Sequence, residues 1–102
     1  MLIHNVYFWL KDGVSESQSQ EFLQGIKDFV AAVDVIEKAE IGSPASTPDR
    51  EVVDHSFVYS MFVWFKSIAD HDQYQGHPAH DEFISKFNHL WEKVNVRDSE
   101  LV

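Results

Sequence analysis

Along residues 3–10 the side chains alternate between two sides of an extended backbone, with His4, Val6, Phe8 and Leu10 on one and Ile3, Asn5, Tyr7 and Trp9 on the other. Both sides are substantially apolar, which predicts a strand covered on two sides. Lys11-Asp12-Gly13 closes it as a turn. Ser15 followed by Gln18 is a capping-box spacing. Phe22, Ile26, Phe29, Val30 and Val33 then recur as one apolar stripe, predicting a helix that runs to about residue 32.

Val35 to Ile41 reads as a second strand whose Glu37, Lys38 and Glu40 suit a sheet edge. Gly42 to Asp54, with Ser43-Pro44 and Thr47-Pro48, reads as a surface loop inside one domain spanning residues 1–102. The strongest strand signal is Phe57 to Phe65. Phe57, Tyr59, Met61, Val63 and Phe65 form one face; Val58, Ser60, Phe62 and Trp64 form the other. Ser67 with Asp70 caps a short helix carrying Ile68, His71 and Tyr74, and Gly76 breaks it. Pro78, preceded by His77, suits the first position of a further helix. There His80, Phe83, Ile84 and Phe87 share a face. Trp91 to Val96 reads as a last strand, followed by a polar tail at Arg97-Asp98-Ser99-Glu100.

The order β-α-β-β-α-β is that of a ferredoxin-like α+β fold, with its helices on one face of an antiparallel sheet. The other face displays Tyr7, Trp9, Phe62 and Trp64. That is roughly a few hundred Å² of aromatic surface, more than a soluble monomer usually leaves exposed. A two-fold partner presenting the same face covers it, so the expected assembly is a homodimer.

Composition narrows the functions. The 102 residues carry a net charge of −9, from 17 acidic and 8 basic side chains. A phosphate backbone and an anionic membrane surface are both repelled, so neither nucleic acid nor membrane is an expected partner. There is no cysteine, which removes disulfides, thiolate metal sites and cysteine nucleophiles. No run approaches the roughly 18 apolar residues of a membrane span. The apolar N-terminus lacks a basic leader and a small-residue cleavage site, so a cytoplasmic location is expected. The glycines are scattered at 13, 25, 42 and 76, and no phosphate-binding loop is present.

Four polar aromatic side chains are candidates for a site. His80 lies on the apolar stripe of its helix and points toward the sheet; His4 and Tyr59 occupy the helix-facing side of their strands. Tyr74 sits just before the Gly76 break, where its hydroxyl reaches the mouth of the same space. Each has a structural reading: His4 and His80 as buried histidines satisfied by a hydrogen bond, Tyr59 and Tyr74 as packing residues. Together they exceed what a core needs, and they suit a small pocket for an apolar carbonyl compound. In that pocket His80 acts as general base and Tyr74 donates a hydrogen bond to a carbonyl or enolate oxygen. His77 and His80 stand at i, i+3, but His77 falls at a cap position and no two-His-carboxylate set accompanies them, so neither a metal nor another cofactor is expected. His55, His71 and His89 read as exposed.

The pattern His4-x-Val6-x-Phe8, the run from Phe65-x-Ser67 into Tyr74-x-x-His77-Pro78-Ala79-His80, and the ending Val96-Arg97-Asp98 resemble the stress-responsive A/B-barrel family over essentially the whole chain. The resemblance implies a ferredoxin-like subunit whose sheet closes into an α/β barrel in a homodimer. It also implies mixed functions, since the family includes plant stress-responsive proteins, bacterial members without an assigned role, and a cofactor-independent plant polyketide cyclase. In the cyclase branch a Tyr and a His of the Tyr-x-x-His-Pro-x-His segment carry acid–base chemistry, and they match Tyr74 and His80. A strand-one pocket His matches His4. A further pocket His falls where this chain has Tyr59, a departure that separates it from the cyclase pattern. Two other readings stand beside proton-transfer or aldol-type chemistry: a non-catalytic stress or ligand-binding protein, and a cofactor-free monooxygenase-like barrel.

Overall fold

The computed structural model describes residues 1–102. Strand β1 (Leu2–Leu10) leads into helix α1 (Glu16–Ala32), strands β2 (Lys38–Gly42) and β3 (Tyr59–Phe65), and helices α2 (Ile68–Gln75) and α3 (Pro78–Phe87). A 3₁₀ turn at Asn88–Leu90 delivers the chain to strand β4 (Trp91–Glu100). The sheet is antiparallel throughout, in the order β2-β3-β1-β4, the ferredoxin-like arrangement. No helix is long and apolar enough to cross a membrane.

Local chemistry sets the helix boundaries. The Ser15 hydroxyl accepts from Gln18 N at 3.1 Å while Gln18 Oε1 accepts from Ser15 N at 2.9 Å, so both ends of the capping box are made. Ser67 Oγ accepts from Asp70 N at 3.2 Å to open α2. His77 opens α3, its Nδ1 accepting from Ala79 N at 3.0 Å. The stripe of α1 is buried at Phe22, Ile26, Phe29 and the flanking Val33, and α3 buries Phe83 and Phe87. The two helices meet so closely that a Cβ on Gly25 would lie 2.2 Å from Phe87 Cε2. Beneath them the sheet contributes Leu2, His4, Val6 and Phe8 from β1 and Tyr59, Met61, Val63 and Phe65 from β3, all buried.

Three boundaries differ from the sequence expectation. Val35 and Ile36 are half-buried residues of the turn after α1, and strand pairing begins where Glu37 N donates to Trp64 O at 2.9 Å. Phe57 lies before β3 and packs on the opposite side of the sheet from Tyr59, against Tyr7 (ring centroids 5.0 Å apart) and Trp9 (6.5 Å). Residues 97–100, expected as a polar tail, continue β4 and pair with β1 as far as Leu2 and Glu100. Their polarity reflects an edge strand that the helices leave largely open to water.

The face away from the helices carries Ile3, Tyr7, Trp9, Phe62 and Trp64, all half-exposed. The loop before β3 shields one end of it. Phe57 covers Tyr7 and Trp9, and Trp9 Nε1 donates to Ser56 Oγ at 2.8 Å. Trp64 has the Lys38 ammonium over its ring, at 4.9 Å.

Candidate active site

Between the helices and the sheet lies a cavity of about 260 Å³. Its floor is the helix-facing side of β1 and β4, and its roof is α2 and α3. It opens along β4, where no helix reaches: Val94 is 38% exposed and Val96 48%, although both point to the helix side opposite Phe8 and Val6.

His4 is 4% exposed on the floor. The β1–β4 register sets it directly across from Asp98, and its Nδ1 lies 2.6 Å from Asp98 Oδ1. A carboxylate only accepts, so Nδ1 carries the hydrogen and Nε2 keeps its lone pair. Burial pushes the His4 pKa below the ordinary value of 6.5; the Asp98 hydrogen bond and charge oppose that push without reversing it. The ring makes edge-on contacts with Tyr74 (centroids 5.4 Å apart) and His71 (5.1 Å).

Tyr74 closes the roof and is almost wholly buried. Burial, assisted by the Asp98 charge, raises its phenol far above the usual range. It therefore holds its proton at neutral pH and acts as a donor. His80 stands beside it, ring centroids 5.2 Å apart, and packs edge-on against Phe29 at 5.8 Å. Burial lowers its pKa from 6.5, with Asp81 opposing and His4 and His71 adding to the shift, so the ring is neutral at pH 7. Its Nδ1 is buried without a partner, which leaves Nε2 as the nitrogen able to meet a ligand. Phe29, Phe83 and Trp91 make the rest of the cavity apolar.

His4, Tyr74 and His80 thus line one cavity, as their faces predict. Tyr59 does not. It faces the helices, but its hydroxyl bonds Ser19 Oγ at 2.9 Å and its ring packs near Phe22, outside the cavity. Its position explains the difference: Tyr59 pairs with Phe8, whereas Val63 pairs with His4. Four strand residues separate the two sites, about 13 Å along the sheet.

Two further residues join the site. His71, expected on the surface, has a side chain only 16% exposed and lines the cavity. The signal was its place three residues before Tyr74 on the same helix, which puts both on one face. Asp98 carried no such signal, because its pairing with His4 depends on a strand register that sequence does not state. The expected surface histidines 55 and 89 lie outside the cavity lining. His77 is spent on its cap, and the ligand atoms that do converge belong to His4, His71 and Asp98, within 4.8 Å of one another.

The sheet order and the helices on one face place the chain among small ferredoxin-like α+β proteins. Within that class the chain belongs to the Stress responsive A/B Barrel Domain family, whose model matches residues 2–101. It is 24% identical over 95 residues to olivetolic acid cyclase from Cannabis sativa, covering 93% of this chain and 91% of the cyclase. Among solved structures it superposes on an Arabidopsis thaliana protein with a TM-score of 0.83 and 25% identity, covering 100% of this chain and 96% of that one. Hydroxynitrile lyase from Passiflora edulis shares the fold at TM-score 0.82 and 20% identity, with coverages of 99% and 93%. A dimeric ferredoxin-like protein from Thermobifida fusca does so at 0.79 and 15%, with coverages of 98% and 90%.

Proposed function

We propose that the protein is a homodimeric, cofactor-independent acid–base catalyst acting on a small, largely apolar carbonyl compound. The observation that carries this reading is the Tyr74–His80 pair. Two titratable groups 5.2 Å apart share one cavity, and their surroundings drive their pKa values in opposite directions. In the reaction, His80 Nε2 takes a proton from the carbon next to the carbonyl. The C–H electron pair moves into a carbon–carbon double bond, and the carbonyl oxygen becomes an enolate that accepts a hydrogen bond from the Tyr74 hydroxyl. Where the same molecule carries a second carbonyl, the enolate carbon attacks it and closes a ring, and the proton on His80 passes to the new alkoxide. The kinship with olivetolic acid cyclase, and the hydroxynitrile lyase built on the same fold, are consistent with small-molecule chemistry of this kind.

The homodimer is supported by relatives described as dimeric and by the half-exposed aromatic face. The deep burial of Tyr74 favours a second reading, ligand binding without turnover. Proton exchange separates the two. Incubated in D₂O with a panel of methyl ketones and 1,3-diketones, the protein should accelerate loss of the α-proton NMR signal, and His80→Gln should not. Ligand binding with no wild-type acceleration would leave the binding protein as the better description.

A further inference from the structure

The open end of the cavity holds groups that proton transfer at Tyr74 and His80 does not use. We propose that His4, His71 and Asp98 together bind one divalent transition-metal ion of the zinc type at the mouth of the cavity. The inference goes beyond the acid–base reading and does not depend on it.

The three come from β1, α2 and β4, so the fold and not a local sequence motif assembles them. Two imidazoles and a carboxylate are a donor set that suits zinc and its neighbours in the first transition row. The protonation of His71 fits as well. The Nδ1 of His71 lies 3.2 Å from Asp72 Oδ1, so that carboxylate accepts its hydrogen and leaves Nε2 with its lone pair, which meets only the Gln75 amide nitrogen at 3.5 Å, a contact that an ion would displace. A carboxylate behind a ligating histidine is the usual device for fixing tautomer and ring orientation at metal sites.

Charge points the same way. Asp98 has its ion-pair contact with His4 alone. The chain's cations lie elsewhere, Arg97 bonding Asn95 on the same strand. A carboxylate without a Lys or Arg contact beside a cavity, in a chain of net charge −9, favours a cation there. The distances need little adjustment. Ligand bonds of about 2.0–2.2 Å require ligand atoms roughly 3–3.5 Å apart. His4 Nδ1 and Asp98 Oδ1 must open from 2.6 Å as the ion takes the place of the proton between them, the ring changing tautomer so that Nε2 carries the hydrogen. His71, on the short helix at the rim, closes the remaining gap from the 4.8 Å limit of the cluster.

The test is a titration of metal-stripped protein with Zn²⁺ by calorimetry and with Co²⁺ by visible absorption. We expect one ion per chain and a Co²⁺ spectrum with the intense bands of low coordination number. His71→Leu and Asp98→Asn should each weaken binding at least about tenfold. Circular dichroism and thermal unfolding show that each variant is folded, and His71→Gln is a second probe should the leucine disturb α2. His55→Ala removes the separate His55–Asp49 contact on the loop and should leave binding unchanged. No stoichiometric uptake by wild type, uptake retained by both site variants, or uptake lost in His55→Ala would each overturn the proposal. Failure of the acid–base reading looks different: exchange activity absent while metal uptake is intact.

Discussion

At the scale of single residues, the site rests on how burial divides titratable groups. The same burial drives the Tyr74 phenol up and the His80 imidazole down, because each is pushed toward its neutral form. A neutral imidazole accepts a proton and a protonated phenol donates one, so a single physical cause equips both partners. With a substrate in hand, turnover should rise with pH through an inflection below 6.5, the ordinary histidine value. His80→Gln should remove that inflection and cut turnover by about 10²–10⁴, and Tyr74→Phe by about 10²–10³. Stability has a matching sign. Because the folded-state pKa of His80 is depressed, the unfolded chain binds the proton first as pH falls through 6.5. The stability contributed by the neutral ring is present above that pH and is lost below it. Unfolding midpoints followed from pH 7.5 to 5.5 should therefore fall less steeply for His80→Gln than for wild type, and parallel curves would count against it. Sequence periodicity made His4 and His80 legible because each sits on an apolar face, and Tyr74 was marked by its place before the Gly76 break. It placed Tyr59 on the right side of the sheet but could not say how far along. Asp98 was invisible for a related reason, since only the β1–β4 register brings it to His4.

At the scale of elements, sequence was most informative where a pattern has one period and a chemical stop. Helix α1 begins at a capping box and ends at Val33, the last member of the stripe, where the backbone turns extended; α2 and α3 are set by Ser67, Gly76 and the His77-Pro78 pair. The edge strands were less legible. β2 is short, and β4 buries too little apolar surface for its alternation to register, so its last four residues resembled a tail. The contact between α1 and α3 shows a constraint that periodicity alone does not reveal. Gly25 lies mid-helix, where alanine would be favoured by roughly 1 kcal/mol on propensity. Its missing Cβ is the space occupied by the buried ring of Phe87. Forcing a methyl group into that contact costs about 1–3 kcal/mol, enough to cancel the propensity gain or exceed it. Gly25→Ala should therefore leave thermal stability unchanged or lower, and a clear rise in Tm would mean that the helices separate easily. α3 carries His80, so loosening this contact should also weaken any ligand bound in the cavity.

At the scale of the whole molecule, a four-stranded sheet covered on one side cannot bury both faces of its central strands. β1 and β3 are apolar on both, and the helices use only one. The loop before β3 offers partial relief: Phe57 lies against Tyr7 and Trp9, and Ser56 satisfies the Trp9 indole. That shield stops short of Phe62 and Trp64, which remain half-exposed near the β2 edge. A second copy meeting the first across this face would cover those rings and give each subunit the two-sided burial that its strands are patterned for. Trp64 is the residue on which to test it, because it stays half-exposed on this face beyond the reach of Phe57. Trp64→Glu would bring two carboxylates into or beside one apolar interface, where the nearest ammonium, Lys38, already contacts Glu40. Sedimentation velocity should show the wild type as a dimer and this variant as a monomer or an aggregate. Ile68→Glu places the same charge on the exposed start of α2, on the helical side of the molecule, and should leave the dimer intact. If Trp64→Glu sediments as an intact dimer, the chains do not meet across this face. The aromatic surface would then need another partner.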